Sequence, residues 1–209
     1  MPAIIYRRLE EGDLDAVLIL QEQNLVWNLK NHANGFLSTQ FSAADFRAMN
    51  EELCVMVALD GQHVCAYLCA SLPEFHQSPL WRILRESYAG RIYDSKSLGS
   101  YRVCFGSPMC IDEVYRGCGI FEGLCYFMIE QYLKPYYEVI LSFLPEQNLR
   151  CWGASQRIGF KKQFIFEMGG KNYQVMLLDL RDYKEHGAFR GRVAQKSRSS
   201  DYNPILKAF

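Results

Sequence analysis

The chain changes character most abruptly around one turn. An apolar run ends at Ile111, the turn Asp112–Gly119 follows, and Phe121–Leu133 then has good helix formers and no proline. A strand that feeds a helix through so short a connection fixes the local topology before anything else is known. The stretch Arg116-Gly117-Cys118-Gly119-Ile120-Phe121 lies where exposed backbone N–H groups and the positive end of the helix converge, a geometry that attracts phosphate. Glycine at 117 and 119 removes Cβ atoms that would block close approach or forbid unusual φ values, and Arg116 is expected to add a permanent positive charge at the rim. An ordinary glycine turn has the same composition, so the reading needs context. The familiar nucleotide loops do not supply it: no Gly-Lys-Ser/Thr follows, and the G-x-G-x-x-G spacing fails at Glu122.

Around this turn the pattern alternates between periods of two and of 3.6. Ile4–Arg7 is a short strand candidate, and Asp13 is placed to cap a helix whose apolar positions are Leu14, Val17, Leu18 and Leu25. Ser42 with Asp45 forms a capping box, and Phe41 with Phe46 occupies the two positions of a hydrophobic staple. Leu53–Leu59 and His63–Ala70 flank Asp60-Gly61, a tight-turn pair, and so read as a hairpin. Residues 72–100 form an elaborated connection containing one amphipathic helix with Leu80, Ile83, Leu84 and Tyr88 on one face. After the glycine turn come a strand at Val139–Leu144, a short helix at Asn148–Ile158, and a hairpin of Phe164–Met168 with Tyr173–Leu180 around Gly169-Gly170. Hairpins mixed with crossovers imply an α/β (α+β) layer architecture, a mixed sheet with helices on its faces.

A chain of 209 residues, 49% of them hydrophobic, is long enough for one well-buried domain and short for two. Residues 1–180 are read as that domain and 181–209 as a polar, loosely held tail. Lysine plus arginine equals aspartate plus glutamate at 23 each, so no global field draws the chain to nucleic acid or to an anionic membrane. No apolar stretch has the length of a membrane span and no leader pattern opens the sequence, which makes the cytoplasm the expected location. Eight cysteines sit mostly inside apolar runs without a C-x-x-C pair, and the four histidines are scattered, so reduced core thiols are expected and a metal is not.

Two segments together resemble a known family. Ile111-Asp-Glu-Val-Tyr-Arg-Gly-Cys-Gly-Ile is similar to the acetyl-CoA pyrophosphate signature of the GNAT superfamily of N-acetyltransferases, Q/R-x-x-G-x-G/A. Arg116 and Gly119 match its first two fixed positions, whereas Phe121 stands where glycine or alanine is usual and narrows the room near the ligand. Downstream, Asn148-Leu-Arg-Cys-Trp-Gly-Ala-Ser-Gln-Arg-Ile-Gly-Phe resembles the family's asparagine followed at fixed spacing by Gly-Phe. The order of elements over residues 1 to about 180 is likewise similar to the GNAT fold, which implies a centrally splayed mixed sheet with helices on both faces. The resemblance implies acetyl-CoA as co-substrate, no metal, and direct transfer to the amine of a small molecule, peptide or protein. Backbone groups of Met109, Cys110 and Ile111 would bind the pantetheine arm, N–H groups from Gly117 through Cys118, Gly119, Ile120 and Phe121 to Glu122 the pyrophosphate, and Asn148 the cofactor in the splayed gap.

The catalytic groups are less complete. The family often places a tyrosine seven residues after the asparagine to protonate the leaving thiolate; this chain has Ser155 there, a poorer acid and the candidate catalytic residue. No carboxylate or histidine falls within Tyr101–Ile111, read as a single strand, which leaves Glu113, Glu74, His76 or solvent to take the amine proton. Cys110 and Cys118 flank the turn as conceivable acyl-carrying nucleophiles, with direct transfer the preferred reading. The insert with Trp81, Tyr88 and Tyr93 could line the acceptor pocket, although helical packing already explains its apolar face. These gaps keep open an alternative, a non-catalytic acyl-CoA-binding regulator, and exposed sheet edges are compatible with a homodimer.

Overall fold

The computed structural model describes residues 4–31 and 35–183. Most of the expected tail, 184–209, lies outside the described residues. In chain order the elements are β1 (Ile5–Arg8), α1 (Leu14–Gln23), α2 (Ala43–Glu52), β2 (Cys54–Asp60), β3 (His63–Ala70), α3 (Pro79–Tyr88), β4 (Ile92–Tyr93), β5 (Lys96–Ser97), β6 (Val103–Phe105), β7 (Met109–Ile111), α4 (Ile120–Met128), β8 (Val139–Pro145), α5 (Leu149–Ile158), β9 (Lys161–Met168) and β10 (Lys171–Asp179).

Local chemistry accounts for several of these boundaries. Asp45 N–H donates to Ser42 Oγ at 3.2 Å while Ser42 N–H donates to the Asp45 carboxylate at 2.7 Å, so the capping box closes at α2. The Phe41 and Phe46 rings meet edge to face 6.2 Å apart as its staple. Gly61, at φ +62°, turns β2 into β3. Asp13 departs from its expected role: its side chain makes no cap on α1. It accepts two bonds from the Arg7 guanidinium at 2.6 and 2.8 Å and one from Glu10 N–H at 2.8 Å. A bidentate charge-assisted pair outweighs a single cap.

Eight strands form two four-stranded sheets, ordered β1-β2-β3-β7 and β6-β8-β10-β9. Among the strand pairings of the described residues only β6 with β8 is parallel. The sheets touch through Ser71 and Phe105, which exchange backbone bonds of 3.0 and 2.8 Å. The run Tyr101–Ile111, expected as one strand, is therefore two. Gly106 N–H still donates to Leu141 C=O at 2.9 Å on the β8 side, whereas Pro108 has no N–H to donate, so the ladder breaks between them. β6 stays with β8 while β7 stays with β3, and beyond the break the two sheets diverge. A second small hairpin, β4 with β5, turns on Asp94 and Ser95 at φ +47° and +70°, without the glycine that announces such turns in a sequence.

Strand alternation sorts the core into layers. Cys54, Met56 and Ala58 of β2 face a cluster that includes α4, while Val55, Val57 and Leu59 face one formed with α1 and α2. A third cluster packs Leu80, Trp81, Leu84 and Tyr88 of α3 against the second sheet, so the insert's apolar face is spent on packing. Helices thus cover both faces. Six cysteines are buried, Cys151 is partly exposed and Cys118 is exposed. Among the described residues no helix is long and apolar enough to cross a membrane, and no group of three His, Cys, Asp or Glu side chains is placed to hold a metal ion.

Candidate functional site

The turn between β7 and α4 winds through a short 3-10 segment, Glu113–Tyr115, capped by Asp112, whose carboxylate accepts from Val114 N–H at 3.2 Å. Gly117 and Gly119 then adopt left-handed φ values of +81° and +80°. A Cβ at either would meet nothing within 4 Å. Glycine is required there by backbone conformation, and the space outside is open. Gly119 leads into α4 without any side-chain cap, and the first bond of the helix runs from Gly123 N–H to Gly119 C=O at 3.1 Å. The N–H groups ahead of it have no partner the helix itself can provide.

Arg116 does not stand at the rim as a free charge. Its Nε donates to Ile111 C=O at 3.0 Å and its guanidinium also donates to Asn24 Oδ1, tying the end of β7 to the end of α1. Buried Asn24 is in turn held by its bond to Leu20 C=O at 2.8 Å. Arg116 is a positioning residue as well as a cation in the groove wall. Phe121, at 7% exposure, belongs to the first core cluster and lines both the groove and the inner cavity beyond it.

From this turn a groove of about 280 Å³ runs between α4, α5 and the open edge of β7. Cys69 N–H bonds Pro108 C=O and Asp112 N–H bonds Cys65 C=O, so by antiparallel alternation Cys110 directs its backbone groups to Tyr67 of β3. The backbone groups of Met109 and Ile111 face the groove, with the Ile111 carbonyl already taken by Arg116. Of the three residues expected to bind an extended ligand arm, Met109 and Ile111 offer backbone groups to it, and Cys110 does not. Arg150 and Arg157 line the groove with Arg116 against a single acid, Glu122, and Arg157 pairs with Glu122 at 3.2 Å across the gap between α5 and α4.

Asn148 sits in the splay, 4% exposed, and lines both the groove and an inner cavity of about 90 Å³. Its Oδ1 accepts from Cys151 N–H at 3.4 Å, capping α5, and its Nδ2 donates to Phe36 C=O at 3.3 Å. That second bond pulls the segment Gly35–Leu37 over the cleft, and sequence reasoning missed it because the partners are far apart in the chain. Phe36, Leu37, Met109, Phe121, Asn148 and Cys151 are common to the two spaces and mark their junction.

Among the described residues no charged side chain lines the inner cavity. Ser155 lines it, buried, with its hydroxyl hydrogen-bonded to Cys151, whose thiol burial pushes up to about 11. Of the candidate bases, Glu74 and Glu113 are exposed and line neither space. His76 is buried, bonded to Ser71 Oγ at 3.1 Å and stacked at 3.9 Å on Trp81, which does line the cavity. Burial pushes the His76 imidazole down to about 4, so it is neutral near pH 7. Burial also pushes the Cys110 thiol up to about 12, and its Sγ points to Leu20 C=O at 3.8 Å, away from the groove. Cys118 is exposed and lines neither space. Neither cysteine is placed as a nucleophile.

No protein-family model matches the chain, and none of the curated proteins matches it in sequence. Solved structures do match it in shape. The structure of yncA from Salmonella typhimurium with its cofactor acetyl-CoA is 14% identical, with a TM-score of 0.60 over 89% of this chain and 99% of that one. The ribosomal-protein-S18-alanine N-acetyltransferase from Escherichia coli is 11% identical, with a TM-score of 0.56 over 85% and 94%. A chain of the NatC complex bound to Gag peptide and CoA is 12% identical, with a TM-score of 0.57 over 86% and 99%. At such identities the similarity is one of fold.

Proposed function

We propose that this chain, which has the fold of the GNAT N-acetyltransferases, is an acetyl-CoA-dependent N-acetyltransferase that passes the acetyl group directly to an amine. The observation that carries the reading is the continuity of three parts: the two left-handed glycines before α4, the open backbone edge at Met109 and Ile111, and the uncharged inner cavity beyond Asn148. The first suits a pyrophosphate held by N–H groups between Gly117 and Glu122. The second suits an extended amide-bearing arm added as a strand. The third excludes bulk water from the reacting carbon. Arg150 and Arg157 supply local positive charge that a neutral chain otherwise lacks.

Acetyl-CoA supplies the activated acyl group, and this chain's residues position it. The acceptor enters on the side walled by Ser38, Thr39, Trp81, Ser107 and Phe143. Glu74, Glu113 and His76 do not line the cavity, and His76 at about 4 is a weak base, so the amine arrives unprotonated and gives its proton to solvent. Ser155 is assigned the return of a proton to the departing thiolate. Two of the neighbours, the S18-alanine enzyme and the peptide-bound NatC complex, favour a peptide or protein amine over a small one. Residues 1–180 carry the whole site in this reading.

The lack, among the described residues, of any charged side chain or histidine in the inner cavity also favours a second reading, an acyl-CoA-binding regulator without turnover. Release of free CoA thiol separates the two. Purified protein with acetyl-CoA and a panel of small amines and peptide N-termini is expected to show amine-dependent thiol release. Tight binding with no release from any amine supports the regulator instead.

A further inference from the structure

The inner cavity extends further than an acetyl group needs. On one side its walls are Phe41, Trp81 and Phe143, which belong to the second and third core clusters or pack against them. On the other it penetrates the first cluster between α4 and the second sheet, where Cys125, Met128, Ile140, Met176 and Leu178 form the wall. Ser155 lines this cavity too, and its small side chain leaves room in it. Interiors are packed to crystal-like density, and lining atoms around a void forfeit their contacts, so an apolar cavity inside a core is unfavourable unless something occupies it.

The chemistry of the wall limits the occupant. Among the described residues no charged side chain reaches the cavity, which rules against an acyl group that carries a carboxylate. Its polar groups include the hydroxyls of Ser142 and of Ser155, the latter bonded to Cys151. A volume of about 90 Å³ compares with about 150 Å³ for an apolar cavity that takes up benzene, and so suits about two methylene groups beyond acetyl.

We propose that this end of the cavity holds a short, straight, saturated acyl chain on CoA, so that butyryl-CoA is a better donor than acetyl-CoA. The inference rests on the N-acyltransferase reading above. The transfer balances as for acetyl: the thioester C–S bond breaks, the amide C–N bond forms, and the amine proton and the thiolate end as CoA thiol and neutral amide.

Calorimetric titration of the full chain with CoA, acetyl-CoA and butyryl-CoA tests this without an identified acceptor. Butyryl-CoA is expected to bind about tenfold more tightly than acetyl-CoA, from two more buried methylenes. Met176→Phe and Leu178→Phe, each filling the cavity from β10, are expected to bring butyryl-CoA down to the affinity of acetyl-CoA. Equal or weaker binding of butyryl-CoA by the unaltered chain overturns the proposal while leaving the N-acetyltransferase reading intact. Failure of all three to bind overturns that reading too.

Discussion

Gly119→Arg is expected to abolish acetyl-CoA binding, with affinity by calorimetry falling roughly 100-fold or more, about 2.7 kcal/mol. The loss of affinity comes from the side chain, whereas the left-handed φ of +80° costs the fold itself about 1–2 kcal/mol, bound or free. The arginine side chain then enters the open space outside the turn, where the pyrophosphate would face the first N–H groups of α4. Gly119→Ala separates the two contributions, since its Cβ meets nothing within 4 Å; it is expected to lower stability by about 1 kcal/mol and to keep most of the affinity. Unchanged affinity in Gly119→Arg would contradict the placement of the phosphates at this turn.

The second large effect concerns acid stability and runs through His76. Burial is the first cause holding its imidazole at about 4 instead of the usual 6.5; Arg85 lowers it further and Asp45 opposes both. The folded chain therefore takes up the proton later than the unfolded chain does. Above pH 6.5 the contribution of His76 to stability is intact, and it is lost progressively as the pH falls toward 4. At about 1.4 kcal/mol per pH unit the loss comes to about 3 kcal/mol. His76→Phe keeps a ring against Trp81 and removes the titration; it gives up the bond to Ser71 Oγ, about 1 kcal/mol at neutral pH. Urea midpoints measured from pH 7 to pH 4 are expected to fall more steeply in the unaltered chain than in His76→Phe. Parallel curves would show that His76 takes up its proton at the same pH in the folded and the unfolded chain.

The parts of this structure that the sequence reveals are those decided within a few residues. The Ser42–Asp45 box, the Asp60-Gly61 hairpin and the Gly117/Gly119 turn each depend on neighbours in the chain, and each forms where the residues indicate. The parts it conceals are those settled between distant segments. Arg116 carries the charge expected of a phosphate ligand, yet Asn24 and the Ile111 carbonyl claim its guanidinium. Phe121 can be named from the motif, yet that it is buried in the first core cluster while lining both the groove and the cavity is settled only by the packing of α4 on the sheet. The splay shows only in the partners the strands take, β6 with β8 and β7 with β3, which no local pattern records. Ser155 could be placed from its spacing to Asn148, whereas its bond to Cys151 and the cavity around it could not. A cavity is made by side chains that stop short of one another, and their lengths become comparable only when the strands are side by side.

A crystal structure of the full chain with acetyl-CoA is the most direct measurement of the central claim. The account predicts the pyrophosphate against the backbone N–H groups between Gly117 and Glu122, the pantetheine arm along Met109 and Ile111, and the thioester at the junction of Met109, Phe121, Asn148 and Cys151. Acetyl-CoA bound elsewhere, or with its thioester outside the splay, would contradict it.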